Sequence, residues 1–164
     1  MEPQWDRPLA GIDEVPWAQF LGADAAPFLD ALTRLAANGG NADSIADLLD
    51  DEDDSYPSGI VDEGFGYRDA AIPALVFLAR IIAQPTAIVR EDTIELIDRI
   101  AHGETVRAGR SGAEMDARVD ALRVALIEAR PALAKAAQRS SKNGAGDRAT
   151  GGGYRRGNPA GRLG

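Results

Sequence analysis

The side chains most capable of binding or catalysis in this chain are carboxylates concentrated in one segment. Five acids are adjacent and two more follow them within the same predicted connection, which also carries two aromatic residues. The run lacks the alternating ligands, central glycine and closing glutamate of a calcium-binding EF-hand loop. Aromatic side chains rimmed by charge are common in protein-binding hot spots, so the segment predicts a docking surface for a basic protein. A solvated acidic loop is the competing interpretation. The candidate partner-binding residues are Asp50, Asp51, Glu52, Asp53, Asp54, Tyr56, Asp62, Glu63 and Phe65.

Residues that usually perform catalysis are scarce in this sequence. It has no cysteine, and its one histidine, His102, precedes Gly103 at a predicted helix end, where an imidazole interacts favourably with the helix dipole. Neither a nucleophile-elbow serine nor a phosphate-binding glycine loop occurs. The adjacent pair Asp62 and Glu63 is a poor acid–base pair, because neighbouring side chains seldom converge on one substrate atom. We therefore expect no enzyme activity, no metal site and no cofactor.

The charge of the chain is unevenly distributed. Residues 1–138 carry a net charge of −13 and residues 139–164 a net charge of +5, which together give the −8 of the whole chain. An acidic body disfavours nucleic acid as the main ligand and favours a basic protein. The longest apolar stretch, residues 70–83, is shorter than the roughly 20 residues of a membrane-spanning helix. With no secretory leader after Met1, we expect a cytoplasmic protein.

Helical periodicity predicts an all-α domain over residues 15–138, after a flexible lead-in over 1–14 and before a disordered basic tail over 139–164. The predicted helices cover residues 15–21, 25–37, 42–50, 67–83 and 86–101, and a last helix begins after Ser111. The predicted core contains Phe28, Leu32, Leu35, Ile45, Leu48, Leu75, Leu78, Ile82, Ile97, Ile100, Val119, Leu122 and Leu126.

Several single residues carry more specific expectations. Asp24 is a predicted helix N-cap, and Ser111 with Glu114 forms a predicted capping box. The helix after Ser111 is expected to turn one apolar stripe inward and to kink or split at Pro131. Arg34 and Arg80 are expected to form ion pairs with acids on adjoining helices, such as Asp47 or Asp98. Trp5 and Trp17 are expected to cover the open end of the core. The predicted inward stripe is Met115, Val119, Leu122, Leu126, Ala129 and Leu133.

A short pattern recurs along the chain. Residues 26–35 and 72–81 share Pro-x-Leu-x-x-Leu-x-Arg followed by Leu or Ile, at an offset of 46 residues, and Pro131 begins a weaker echo. Offsets of about 40–47 residues are typical of HEAT and armadillo repeats, in which pairs of helices stack on one another. The offset predicts a short stack of antiparallel helix pairs.

The segment from Asp62 to Leu75 resembles a group of short bacterial HEAT-like proteins. In that group a loop ending in His-Gln-Gly and a tyrosine lead into a helix of Ala-x-Pro-x-Leu character. Gly64 and Tyr67 match this pattern, whereas Asp62 and Glu63 stand in place of the His-Gln pair. The resemblance covers roughly residues 15–138 and implies an α-helical scaffold that binds protein.

Two functional hypotheses of different classes follow. The first is a non-catalytic interaction module that binds a basic protein through residues 50–66, and a bacterial immunity protein that blocks a basic toxin is its most specific form. The alternative is a nucleic-acid-associated adaptor anchored through the basic Gly/Arg-rich tail. Removing the tail separates them, because only the adaptor would then lose its ligand.

Overall fold

The computed structural model describes residues 4–39, 61–62, 66–67, 69–87, 91–102 and 112–147, and the side chains of 5–39, 69–87, 93–102 and 112–139. This part of the chain is helical apart from one short strand pair, which confirms the predicted all-α class. The longer helices are α1 (Trp17–Leu21), α2 (Ala25–Ala37), α3 (Ala71–Ala83), α4 (Glu91–Ala101) and α5 (Gly112–Asp147). Three single 3-10 turns cover Gln4–Asp6, Ile12–Glu14 and Gly22–Asp24. The strands β1 (Val61–Asp62) and β2 (Gly66–Tyr67) pair antiparallel. The predicted helix over 42–50 lies outside the described residues.

Helix α3 forms the centre of the domain. It is apolar nearly all round over residues 70–78, as predicted, and every one of its residues except Pro73 is buried. It begins at Ala71 rather than at Tyr67, so that Pro73 lies in its first turn, where a missing backbone donor costs nothing. It ends at Ala83, before Gln84 and Pro85, as the sequence predicts.

Helix α5 packs along α3 and runs in the same direction. Arg118 donates a hydrogen bond to Asp69, Arg80 to Glu128, and Arg139 to the carbonyl oxygen of Gln84, so the contacts advance together along both helices. Helix α4 lies between them in the chain and packs against α3.

The buried face of α5 differs from the predicted stripe. Leu122 and Ala129 are buried as expected, but Val119 and Met115 are exposed and Leu126 and Leu133 are only half-buried. The buried side of α5 is formed mainly by alanines, whose small side chains permit a close approach to the bulky residues of α3. The side chains that α5 buries are Arg118, Leu122, Ala125, Ala129, Ala132 and Ala136.

This close approach makes Ala129 sensitive to added volume. Ala129 is fully buried, and a leucine there would push α5 away from the core. We expect Ala129→Leu to lower the free energy of unfolding by about 1–3 kcal/mol. Urea denaturation followed by circular dichroism measures this loss. Ala134→Leu on the exposed side of the same helix is the matched control, expected to change stability by less than about 0.5 kcal/mol. Equal losses in both variants would contradict close packing at Ala129.

The N-terminal half of the core is built around Trp17. Its ring lies 5.1 Å from that of Phe28 in α2 and 5.9 Å from that of Phe77 in α3, between centroids. Its indole Nε1–H donates a hydrogen bond of 2.7 Å to the carbonyl oxygen of Ile12, which satisfies the polar atom of a buried tryptophan. Trp17 therefore joins the N-terminal segment to both helices rather than only covering one end of the core.

The first residues of the chain are part of the folded domain. Trp5, Leu9 and Ile12 pack against the core, and the ammonium group of Lys135 in α5 lies 5.8 Å from the Trp5 ring centroid. Residues 5–14 belong to the segment predicted as a lead-in over 1–14, and through these side chains they supply apolar cover for the core.

Helix α5 also extends past the boundary predicted at residue 139. It continues through Pro131 to Asp147, so the proline does not split it. Arg139 is half-buried and donates hydrogen bonds to the carbonyl oxygens of Gln84 and Ala87, beyond the end of α3. These hydrogen bonds tie Arg139 to the segment that follows α3, which keeps it within the domain. The predicted tail beyond Asp147 lies outside the described residues.

The carboxyl end of α2 packs closely against the segment that follows α3. Gly39 has a φ of 60°, and a side chain there would meet the carbonyl oxygen of Thr86 at 3.1 Å. Only glycine suits both constraints. The side-chain amide of Gln84 donates a hydrogen bond of 3.2 Å to the carbonyl oxygen of Ala36, so the ends of α2 and α3 lie together. Asp24 precedes α2 as predicted, but its side chain makes no capping hydrogen bond.

Candidate functional site

The structure describes little of the acidic segment predicted to bind a partner. Asp62 is the last residue of β1 and stands opposite Gly66 of β2, which fixes its backbone only. The other predicted binding residues lie outside the described part of the chain: Asp50, Asp51, Glu52, Asp53, Asp54, Tyr56, Glu63 and Phe65. Their role as a docking surface stays a prediction.

The described residues form a different candidate site, a surface groove between residues 10–20, α3 and α5, here called the N-terminal groove. Its volume is about 740 Å³. Ile72, Val76 and Phe77 of α3 contribute its apolar lining. Phe20 is 37% exposed and Val124 of α5 is 63% exposed, so both present apolar surface to a partner. Trp17 and Leu21 of the same short helix are buried, whereas Phe20 lines the groove.

A buried arginine lies in this groove. Arg80 is only 6% exposed, and it donates hydrogen bonds of 2.8 Å to the carbonyl oxygen of Ala10 and 2.7 Å to Oε1 of Glu128. Its guanidinium carbon also lies 5.5 Å from the Phe77 ring centroid. Its Nε–H is buried and has no hydrogen-bond acceptor among the described residues. Arg80 thus holds the N-terminal segment, α3 and α5 together and keeps one donor unused.

One of the two repeat arginines has a partner that differs from the predicted one. Arg80 pairs with Glu128 rather than with Asp98, because its side chain points toward α5. Arg34 pairs with Asp30, one turn earlier in α2, at 3.1 Å, and Asp47 lies outside the described residues. The Nδ1 atom of His102 lies 3.3 Å from a carboxylate oxygen of Asp98 at the end of α4. His102 thus follows the last residue of α4, at the position predicted for it.

The charge of the groove is negative at its edge. Glu14 and Glu128 both line it and both are exposed, whereas Arg80 is the cation in its lining. One guanidinium compensates one of the two carboxylates. An approaching cation is therefore favoured over an anion, since the field of the remaining carboxylate is added to that of an acidic chain.

A second apolar surface lies on the other flank of α5. It follows Val119, Leu126 and Leu133 and is bordered by Arg123 and Arg130, with a volume of about 760 Å³. None of its described lining residues is a buried polar group. It therefore combines apolar area with bordering cations, whereas the N-terminal groove is bordered by carboxylates.

The groove contains few ionisable side chains. Its charged residues are two carboxylates and one arginine, with no nucleophile or histidine among its lining. Within the described ranges, no three histidine, aspartate or glutamate side chains are grouped so as to hold a metal ion. Within the same ranges, no helix has the length and apolar composition to cross a bilayer.

Comparison with known proteins identifies no relative of this chain. No protein-family model matches the chain, and neither a curated protein nor a solved structure matches it significantly. The geometry and the charge of the described residues are therefore what bears on function.

Proposed function

We propose that this chain is a non-catalytic protein-interaction module, a short HEAT-like stack of helix pairs that binds a basic protein. The observation that carries the proposal is the N-terminal groove, where exposed apolar side chains stand beside exposed carboxylates. Apolar cores with polar rims are typical of protein interfaces, and complementary charge accelerates the encounter. The net charge of −8 selects a basic partner.

The order and direction of the helices support the repeat architecture. Stacked pairs of antiparallel helices place the first helices of successive pairs side by side and in the same direction. Helices α3 and α5 have this relationship, with α4 between them in sequence. Helices α2 and α3 both carry the recurring proline pattern. Their carboxyl ends also lie together.

The proposal is tested by recovering the tagged full-length chain from an extract of its own source cells at low and at high salt. We expect a basic protein to be recovered at low salt and lost at high salt, because ions screen the attraction. A recovered basic enzyme that the chain inhibits would support the immunity-protein form. Changing Asp50–Asp54 to serine tests whether the acidic run contributes to binding of the recovered protein. Undiminished recovery by this variant would move the binding to other surfaces.

A truncated chain distinguishes the proposed protein-binding module from the nucleic-acid-associated adaptor. The truncation is made after Asp147, because a deletion from residue 139 would remove Arg139 and the end of α5. We expect the chain lacking residues 148–164 to recover the same protein, with or without nuclease treatment. Recovery that requires the tail and disappears with nuclease would favour the adaptor and contradict the proposal.

A further inference from the structure

We propose that the N-terminal groove is the docking site for a short peptide segment that presents a bulky apolar side chain within about one helical turn of a lysine or arginine. This inference rests on the proposed function and specifies the site and the ligand chemistry. The ligand segment belongs to the partner protein. Two properties of the groove determine its chemistry: exposed apolar side chains and an acidic edge.

The apolar part of the groove selects a large aliphatic or aromatic side chain. Phe20 and Val124 are exposed at its edge, and Val76 and Phe77 line it. A volume of about 740 Å³ is within the range of ligand-binding clefts and exceeds the size of one side chain. A bulky apolar side chain would cover Phe20 and Val124 together, which removes both from water.

The edge of the groove selects a cation next to that side chain. Glu14 is exposed, and the Glu128 side chain is 49% exposed although Oε1 accepts a hydrogen bond from Arg80. A lysine or arginine of the ligand can therefore approach both carboxylates from the solvent side. An acidic peptide would meet the same two carboxylates and be repelled.

Arg80 does not offset the preference of the groove for a cation. Its guanidinium is buried and already donates hydrogen bonds to Ala10 and Glu128, so little of its charge is accessible to an approaching anion. The second surface on α5 is bordered instead by the exposed arginines Arg123 and Arg130.

Selection of a random peptide library on the immobilised full chain tests the inference. We expect the enriched peptides to share a bulky apolar residue close to a lysine or arginine. We expect their binding to weaken by about tenfold in Val124→Asp, because a carboxylate there adds charge to an apolar contact. Ile127→Asp is the matched control: Ile127 is also β-branched, lies on the same helix and is 67% exposed. Its substitution is expected to change the dissociation constant by less than about twofold.

Several outcomes would overturn this assignment of the site. They are an absence of enriched peptides, enrichment of acidic or purely polar peptides, or equal weakening by the two variants. Binding that appears only after removal of residues 148–164 would also overturn it, since the tail would then be the occupant. Recovery of a basic protein from extract that Val124→Asp leaves unchanged would reject the groove and preserve the proposed function. Loss of all salt-dependent recovery would reject the proposed function itself.

Discussion

Replacing Phe28 by alanine is expected to lower the free energy of unfolding by about 3–5 kcal/mol. Phe28 is fully buried and lies against Trp17, so its removal leaves a cavity where three elements meet. The loss includes both the transfer of the ring from water and the unfilled space beside Trp17. Urea denaturation followed by tryptophan fluorescence and by circular dichroism measures it, and Trp17 reports directly on this part of the core.

The control for this substitution is the same change at an exposed phenylalanine. Phe20 is one turn of chain away from Trp17 and is 37% exposed, so Phe20→Ala is expected to cost less than about 1 kcal/mol. The two variants remove identical atoms, and only their burial differs. A small loss for Phe28→Ala, or similar losses for both, would contradict the packing around Trp17.

Replacing Glu128 by alanine is expected to lower the free energy of unfolding by about 2 kcal/mol. The substitution removes the carboxylate that accepts the 2.7 Å hydrogen bond from Arg80 and leaves a charged guanidinium with 8% of its side chain exposed. The effect should stay below that of breaking a fully buried ion pair, because Glu128 itself is half-exposed and its charge is screened. Thermal and urea denaturation give the free-energy difference.

A double-mutant cycle with Arg80→Met isolates the pair. Methionine keeps an apolar chain in the same space without a charge, so Glu128→Ala should then cost less than about 0.5 kcal/mol. Asp120→Ala is the exposed control, because Asp120 accepts a 3.0 Å hydrogen bond from Arg123 with both side chains about 70% exposed; its cost should be about 0–0.5 kcal/mol. Equal costs for Glu128→Ala with and without Arg80 would show that the two residues are not coupled.

The sequence contains enough information to locate α2, α3 and α4 because their signals are local. The apolar run of α3 and its boundary at Gln84 and Pro85 depend on residues a few positions apart. The same holds for Asn38 and Gly39 at the end of α2. Local rules of this kind determine where a helix begins and ends without reference to the rest of the chain.

The orientation of α5 could not be predicted in the same way. Its large apolar residues form a regular stripe, yet the helix buries Ala125, Ala129 and Ala132 against α3. The choice depends on the volume of the opposite helix, since two bulky faces cannot approach closely. Apolar periodicity measures hydrophobicity and contains no information about the shape of the partner surface. Large apolar residues of the predicted stripe that are not buried, including Val119 and Leu126, line the second surface of α5.

The candidate site was missed because its members are far apart in sequence. Arg80, Glu128 and the carbonyl group of Ala10 come from three separate regions. One signal was present: an arginine within an otherwise apolar helix requires a partner, since an unpaired buried charge is very costly. That signal indicates a buried polar contact at Arg80. It does not identify Glu128, which depends on the tertiary packing.

The absence of a solvent-facing side on α3 has a consequence for how this protein can evolve. Nearly every substitution within Ala71–Ala83 affects stability, so this helix offers little freedom for acquiring a new partner. Positions such as Phe20, Val124 and Glu14 are exposed and can change with little effect on the fold. Related chains with different partners should therefore diverge along residues 10–20 and the outer side of α5, around an interior that tolerates little variation.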